Sequence, residues 1–266
     1  SMAYIQGRHA GAFEEQFAAA HGVKYAAGCS NGTTALSLAL EAAGVGPGDE
    51  IITVAYTFIA TAESILHLGA TPVFVDIEPG TYNIDPNLVR QAITSRTKAI
   101  VPVHLYGTPC DMGALQDIAG AHDLLMIEDC AQAHFSKWEG KNVGTIGIAG
   151  TFSFYPGKNL GAYGDAGCII TNNDEFAYRA KMYCNHGAII KHFHQIEGIN
   201  SRMDGIQASI LSIKLKYIHK WTKMRKEHAE LYNNLFSSVT NVEKPVVHSN
   251  ASHVFHLYVI KAEDRN

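Results

Sequence analysis

The fold is decided by the stretch Thr151-Phe152-Ser153-Phe154-Tyr155-Pro156-Gly157-Lys158-Asn159-Leu160-Gly161-Ala162-Tyr163-Gly164-Asp165-Ala166-Gly167. Its first five residues alternate as in a β-strand, and the pattern breaks at Pro156-Gly157, where the backbone can turn sharply. Lys158 follows the break on a loop whose glycines can adopt positive φ and approach a bound group closely. A second apolar strand is predicted over residues 168–171. Lys158 is therefore the first candidate functional residue.

Lys158 on such a loop has three possible uses. It can bind a phosphate as a point charge, or its amine can form a Schiff base with a carbonyl group. It can also be an ordinary turn residue in solvent, as most lysines are. The loop alone does not distinguish these interpretations, so residues elsewhere in the chain must decide between them.

Composition limits the class of protein. The chain has 266 residues, 47% of them hydrophobic, which suits one large domain or one large and one partial domain. A net charge of -4 without a basic cluster argues against nucleic acid as a partner. The longest apolar stretches are only strand-sized, so no membrane span is predicted. The five cysteines are scattered without a C-x-x-C pair, which indicates reduced, buried residues of a cytoplasmic protein and not disulfides or zinc ligands.

Helix and strand patterns alternate along the chain. The other predicted strands are residues 24–27, 50–54, 72–76, 99–103 and 124–128, and the predicted helices are residues 13–21, 31–43, 59–68, 86–93, 111–122 and 174–186. The central strands are continuous apolar runs, which is typical of a parallel sheet covered on both faces. This pattern predicts an α/β layered domain with its ligand crevice at the carboxyl ends of the strands.

The last part of the sequence predicts a second, smaller unit. Residues 204–235 are predicted to form one long, partly basic helix, followed by a strand over residues 256–260. We therefore expect a large domain over residues 1–240, including the connecting helix. Residues 241–266 are expected to begin a small domain that is not completed by residue 266.

Three other segments contain residues that could form a cofactor site together with Lys158. Residues 28–34, Gly-Cys-Ser-Asn-Gly-Thr-Thr, lead into a helix whose N-terminus is suited to phosphate, although an ordinary N-cap would look the same. Asp129 ends a buried strand and can pair with a cationic ring nitrogen, or simply cap the next turn; a metal site with His134 would have no third ligand nearby. Phe58 can stack on a flat cofactor or pack in the core.

Together, these residues form the set that pyridoxal 5'-phosphate (PLP) requires, and the sequence resembles the DegT/DnrJ/StrS family of PLP-dependent nucleotide-sugar aminotransferases. The segments that carry the resemblance are Asn31-Gly32-Thr33-Thr34-Ala35-Leu36, Thr57-Phe58-Ile59-Ala60-Thr61, Val103-His104-Leu105-Tyr106-Gly107, Glu128-Asp129-Cys130-Ala131-Gln132-Ala133-His134, Ser153-Phe154-Tyr155-Pro156-Gly157-Lys158-Asn159 and Asn200-Ser201-Arg202-Met203-Asp204. The resemblance implies a three-layer α/β/α large domain with a mostly parallel seven-stranded sheet.

The resemblance also implies a role for each matching residue. Lys158 would bind PLP covalently and move the proton during transfer, and Asp129 would pair with the pyridinium nitrogen. The other implied cofactor contacts are Phe58 on one ring face, Gln132 near the phenolic oxygen, Gly32, Thr33 and Ser153 at the phosphate, and Asn200 at the phosphate of the neighbouring subunit. The Asn200 contact implies a homodimer with shared active sites.

Transamination is the reaction that the resemblance implies, because family members that are dehydratases have histidine in place of Lys158. The expected substrates are glutamate, as amino donor, and a nucleotide-linked keto sugar, for the biosynthesis of amino sugars and surface polysaccharide. The Pro-Gly-Lys-Asn-Leu-Gly-Ala form of the lysine loop favours amination at sugar C3 over C4. Residues 188–199 are expected to border the substrate, or to form a mobile surface loop.

Two departures from the family pattern keep alternatives open. Residues that family members have before Tyr4-Ile5-Gln6-Gly7 are absent here, and the small domain stops after one predicted strand. One alternative is therefore a truncated PLP-binding protein with little or no transaminase activity. Another is a cysteine desulfurase-like enzyme, which would need a reactive cysteine on a flexible loop.

Overall fold

The structure is a computed structural model that describes residues 4–262. The α-helices in this part of the chain are α1 (Arg8–His21), α2 (Gly32–Ala42), α3 (Ala60–Leu66), α4 (Pro86–Ala92), α5 (Met112–Ala121), α6 (Asp174–Tyr183), α7 (Gly205–Leu215) and α8 (Ile218–Leu235). The strands are β1 (Tyr25–Cys29), β2 (Glu50–Val54), β3 (Thr71–Val75), β4 (Thr97–Val101), β5 (Leu125–Asp129), β6 (Lys137–Trp138), β7 (Lys141–Asn142), β8 (Ala149–Ser153), β9 (Gly167–Thr171), β10 (Val242–Glu243), β11 (Ala251–Ser252) and β12 (Lys261–Ala262).

A seven-stranded sheet forms the centre of the fold, in the order β1-β9-β8-β5-β4-β2-β3. Strands β8, β5, β4, β2 and β3 run parallel to one another, whereas β9 is antiparallel to both of its neighbours, β1 and β8. The interior strands are almost fully buried, while β3 is partly exposed. The Pro72 in β3 fits that edge position, because proline has no N–H to give to a ladder. The prediction of a mostly parallel seven-stranded sheet is confirmed.

Helices cover both faces of this sheet, as in a three-layer fold. Adjacent residues of one strand enter different cores: Ile51 packs with α2, α3 and α6, and Ile52 packs with α4 and α5. At the β8–β9 side, a third cluster joins α1, α7 and α8 to the sheet. There Phe17 packs edge-on against Phe152 and Phe154, with ring centroids 5.1 and 5.3 Å apart. These aromatic contacts fix α1 beneath the start of the lysine loop.

Two sequence predictions about the end of the chain are wrong. The single helix over residues 204–235 is two helices, broken at Lys216 and Tyr217, and no glycine or proline marks the break. Residues 256–260 do not form a strand. The preceding residue Val254 forms a hydrogen bond with a loop and not with a strand: its N–H donates to Gly107 O (2.9 Å). The domain division at residue 240 stays a prediction.

None of the helices described between residues 4 and 262 combines the length and apolar character needed to cross a membrane.

Candidate active site

Asp129 lies at the carboxyl end of the central strand β5 and is buried. Its Oδ2 accepts the Thr61 hydroxyl (3.0 Å), and its Oδ1 accepts the Ala131 N–H (3.1 Å). Burial raises the pKa of this carboxyl, and the two hydrogen bonds and the charge of Lys158 act against that rise. A carboxylate oxygen pair has about four acceptor sites, so Asp129 keeps acceptor capacity for a cationic partner.

Lys158 follows β8 on the loop that the sequence singled out. Its backbone N–H donates to Tyr155 O (2.8 Å), which holds the turn, and the residue is half-buried. Burial lowers the pKa of the Lys158 amine, while the charge of Asp129 raises it. A lowered pKa increases the neutral fraction of the amine, which is the form that attacks a carbonyl. The structure therefore brings Lys158 and Asp129 into one electrostatic environment.

Gly32, Thr33 and Ser153 meet where α2 begins. The Asn31 side chain caps the helix by accepting the Thr34 N–H (2.8 Å). The first N–H groups of a helix have no partner within it and form an anion site. Gly32 lies directly against β8, because a Cβ added to it would stand 2.5 Å from Ser153 Cβ. The structure thus places Gly32 against Ser153 at the start of α2, and the role of these residues at a phosphate stays a prediction.

The close approach of Gly32 predicts a measurable cost for a single methyl group. Gly32→Ala should lower the free energy of unfolding by about 2 kcal/mol, because the new Cβ overlaps Ser153. Urea unfolding measures this change. Gly11→Ala in α1 is the matched control, since a Cβ there meets nothing within 4 Å; it should stabilise the helix by about 0.5–1 kcal/mol. Equal effects of the two substitutions would contradict the contact.

Gln132, three residues after Asp129, is hydrogen-bonded to the loop after β4. Its Oε1 accepts the Tyr106 N–H (2.7 Å), which leaves its Nε2 hydrogens as donors. Tyr106 has φ 58°, and its hydroxyl donates to the Tyr56 hydroxyl (2.8 Å). Phe58, two residues after Tyr56, is 69% exposed. A ring this exposed is not a core residue, which favours the stacking interpretation over core packing.

Asn200 is exposed, and its predicted contact with the partner's cofactor stays a prediction. It lines a cavity of about 500 Å³, together with Ser30, Arg202 and Asp165 of the lysine loop. The cavity lies beside the start of α2, because the hydroxyls of Ser30 and Ser201 are 2.8 Å apart and Ser30 directly precedes the α2 cap.

Glu128 is a structural residue, not a member of the reacting group. It is fully buried, and its Oε2 lies 3.0 Å from His104 Nε2. The Nδ1 of His104 accepts the Cys110 N–H (3.1 Å), so the ring proton is on Nε2 and is donated to Glu128. The backbone donors to Glu128 are Gly144 (2.7 Å), Ile146 (2.8 Å) and Gly147 (2.7 Å). This network ties β5 to the strand-free stretch before β8.

Neutralising Glu128 should therefore reduce stability. Glu128→Gln keeps the shape but turns an N–H₂ group toward backbone N–H donors, which we expect to cost about 3 kcal/mol in urea unfolding. Glu230→Gln on the exposed side of α8 is the control and should change stability by less than about 0.5 kcal/mol. A Glu128→Gln protein as stable as this control would contradict the role.

His104, Glu128 and Cys130 also form a possible metal-ligand cluster, with donor atoms within 4.8 Å of one another. Hydrogen bonds already occupy the Nδ1 of His104 and both oxygens of Glu128. Burial raises the pKa of the Cys130 thiol well above its usual value, so the thiolate that a metal needs is disfavoured. We interpret the cluster as a hydrogen-bonded structural group.

His134, the other histidine of this motif, is also buried. Its ring centroid lies 5.5 Å from that of Phe152 and 5.6 Å from that of Phe154. Burial, and then the charge of Lys158, lower the pKa of His134 well below its usual value. It is therefore a neutral ring beneath the lysine loop.

The five cysteines, all of them within the described residues, are free and buried. Burial is the main cause that raises the pKa of each thiol. Such thiols are poor nucleophiles, and none forms the exposed reactive group that the desulfurase alternative needs.

Sequence reasoning gave no role to several residues beside the site. Asn159 and His256 bond to each other near Lys158, and Tyr106 bonds to Gln132. Tyr106 lies in a quoted motif, but only its contact with Gln132 shows its position. His256 is about 100 residues from the lysine loop along the chain, and nothing local in the sequence indicates the contact. Residues 188–199 are largely exposed, and their role at the substrate stays a prediction.

The fold thus places a buried carboxylate at the end of β5 and a half-buried lysine on the loop after β8. The model of the DegT/DnrJ/EryC1/StrS aminotransferase family matches residues 1–266, and the chain belongs to this family.

Known relatives and solved structures agree with this assignment. The chain is 49% identical to a "pleiotropic regulatory protein" of Geobacillus stearothermophilus (100% of this chain, 72% of the relative). It is 46% identical to the dTDP-3-amino-3,6-dideoxy-alpha-D-galactopyranose transaminase of Aneurinibacillus thermoaerophilus (98% and 72%). The S. venezuelae DesV structure with a ketimine intermediate matches with TM-score 0.98 and 41% identity (100% and 71%). The Bacillus subtilis NtdA structure with bound cofactor PMP matches with TM-score 0.91 and 34% identity (98% and 60%).

Proposed function

We propose that this chain is a PLP-dependent aminotransferase that moves an amino group from glutamate to C3 of a nucleotide-linked keto sugar, in the biosynthesis of amino sugars and surface polysaccharide. The observation that carries the proposal is that Lys158, whose pKa burial lowers, lies within the electrostatic influence of the buried carboxylate Asp129 at the end of β5. The name of the A. thermoaerophilus relative, a 3-amino-sugar transaminase, supports the sugar and the position.

The residues present fit PLP in two ways. The backbone at Gly32 has no room for a side chain against Ser153, as expected where α2 and β8 close around a phosphate. Burial disfavours the charge of Asp129, so a cationic ring nitrogen beside it would compensate both charges. The neighbour with bound PMP, the amine form of the same cofactor, supports the assignment.

When bound, PLP supplies an electron sink for the carbon that loses its proton. The protein's own residues would bind the cofactor and move the proton. Lys158 would hold the cofactor through Nζ and move the proton at the reacting carbon, for which a lowered pKa suits a base. Asp129, fixed by Thr61 and Ala131, would keep the ring nitrogen protonated. Phe58 would cover one ring face, and the donors of Gln132 would face the phenolic oxygen.

The assembly that we propose is a cytoplasmic homodimer with shared active sites. Asn200 would reach the phosphate of the neighbouring subunit's cofactor, and its exposure on an open cavity supports a contact with a partner. Reduced cysteines support a cytoplasmic location. The net charge of -4 supports neither nucleic acid nor an acidic membrane surface as partner. Residues 1–240 would form the PLP-binding domain, and residues 241–266 the start of a small domain.

The test is an amino-transfer assay with a dTDP-linked 3-keto sugar, glutamate and PLP. We expect the amino sugar by mass spectrometry and one equivalent of 2-oxoglutarate, because each amino group moved leaves one keto acid behind. A 4-keto isomer serves as the comparison for the position. A chain that binds PLP and yields neither product would be the binding-only protein instead.

A further inference from the structure

The segment after β11 crosses the edge of the candidate active site. The Val254 N–H donates to Gly107 O (2.9 Å), and the Leu257 N–H donates to Tyr106 O (3.3 Å). Gly107 has φ 99°, and a Cβ added to it would stand 2.9 Å from Val254 Cγ2. The segment is thus packed against the loop that also contacts Gln132. We refer to residues 253–257 as the strap.

The opposite side of the strap is bound by the residue that follows the reactive lysine. Asn159 is only 6% exposed, and its Nδ2 donates to Val254 O (3.2 Å). Its Oδ1 accepts from His256 Nδ1 (3.2 Å). The Nδ2 and the Oδ1 of Asn159 therefore both form hydrogen bonds with the strap. Because Asn159 directly follows Lys158, these bonds connect the strap to the lysine loop.

The hydrogen bonds also decide the state of His256. Because Asn159 Nδ2 is the donor to Val254, Asn159 Oδ1 is the acceptor, so His256 Nδ1 carries the ring proton. Burial, then the charges of Lys158 and Arg225, lower the pKa of His256 to about 4, so the ring is neutral at pH 7. Arg225 Nη1 donates to the Phe255 (3.1 Å) and His256 (3.3 Å) carbonyls, which holds this part of the strap from α8.

We propose that Asn159 and His256 are positioning residues, which latch the strap over the lysine loop and so keep the Lys158 amine in its partly dehydrated position. The proposal rests on the proposed function only in taking Lys158 as the reacting amine. It makes a physical statement that does not depend on turnover: with the latch open, water reaches Lys158.

The expected consequence is a change in the acidity of Lys158. Burial is the main cause of its lowered pKa, and the charge of Asp129 opposes it. The other titratable groups around the strap and the lysine loop are His134, His256 and Arg225. Opening the strap adds water without removing Asp129, so the pKa of Lys158 should rise toward that of an ordinary lysine.

The test is competitive labelling of Lys158 in the full chain after bound carbonyl compounds have been removed. The extent of amine modification is followed by peptide mass spectrometry across pH, which gives the apparent pKa of Lys158. Asn159→Leu keeps a similar size and adds no charge beside Lys158, but it loses both the donor to Val254 and the acceptor for His256; His256→Leu loses the donor to Asn159. Each should raise the apparent pKa by about one pH unit and speed hydrogen exchange in the strap.

Two further variants separate latching from general loosening. In His256→Asn, Nδ2 lies where the histidine Nδ1 was, so we expect values close to the unmodified protein. Asn250→Asp removes a donor to Glu139 Oε1 (3.0 Å) at the start of the same segment, away from Lys158, and should leave the pKa of Lys158 unchanged.

Two results would overturn the proposal. One is faster strap exchange in Asn159→Leu and His256→Leu with an unchanged pKa of Lys158. The other is His256→Asn behaving as His256→Leu does, which would mean that the hydrogen bond is not responsible. If only the proposed function is wrong, the labelling experiment would still give the expected pKa changes, but the amino-transfer assay would yield no amino sugar.

Discussion

Lys158→Ala is expected to abolish amino transfer, with a rate at least about 10³-fold below that of the unmodified chain. The substitution removes both the covalent attachment of the cofactor and the base that moves the proton. Borohydride reduction followed by peptide mass spectrometry should find PLP fixed on Lys158 in the unmodified protein and no fixed adduct in the variant. Fold and stability should change little, because the residue is half-buried at a loop and its side chain is not part of a core cluster.

Lys141→Ala is the matched control for that experiment. Lys141 is an exposed lysine of the β6–β7 hairpin, and its loss should leave both the adduct and the rate unchanged. A reducible adduct that survives in Lys158→Ala would mean that another amine reacts, and the assignment of Lys158 would be wrong.

Asp129→Asn is expected to slow amino transfer by about 10²- to 10³-fold while PLP stays bound. The amide is isosteric and can still meet Thr61 and Ala131, so the fold should survive. What it loses is the negative charge that would keep the ring nitrogen protonated. Stopped-flow measurement of the glutamate half-reaction separates this loss of rate from a loss of binding.

The control for Asp129→Asn is Asp117→Asn on the exposed surface of α5, which should leave the rate unchanged. A near-normal half-reaction in Asp129→Asn would mean that Asp129 is not the partner of the ring.

The parts of the fold and site that sequence predicts are those with a local cause. Continuous apolar runs indicate the buried strands, and Asp129 is conspicuous because it ends such a run. Asn31 before a helical pattern is a recognisable cap, and the structure shows it bound to the Thr34 N–H. Lys158 is conspicuous because it follows Pro-Gly in a glycine-rich loop.

The parts that sequence does not predict depend on contacts between distant segments. Glu128 and Asp129 are adjacent acids, yet only tertiary hydrogen bonds make Glu128 structural. The helix break at Tyr217 has no glycine or proline to signal it. Likewise, the apolar pattern of residues 256–260 predicts a strand. The path of the overlapping strap is instead determined by hydrogen bonds to Gly107 and Asn159.

The most direct test of the central claim is the visible absorption spectrum of the purified chain with PLP, before and after glutamate is added. We predict a Schiff-base band that bleaches as the cofactor is converted to its amine form, with 2-oxoglutarate released in equal amount. Such a result would establish both PLP on a lysine and a working donor half-reaction. A Schiff-base band that does not respond to glutamate, or no band at all, would contradict the claim that this chain is a glutamate-dependent aminotransferase.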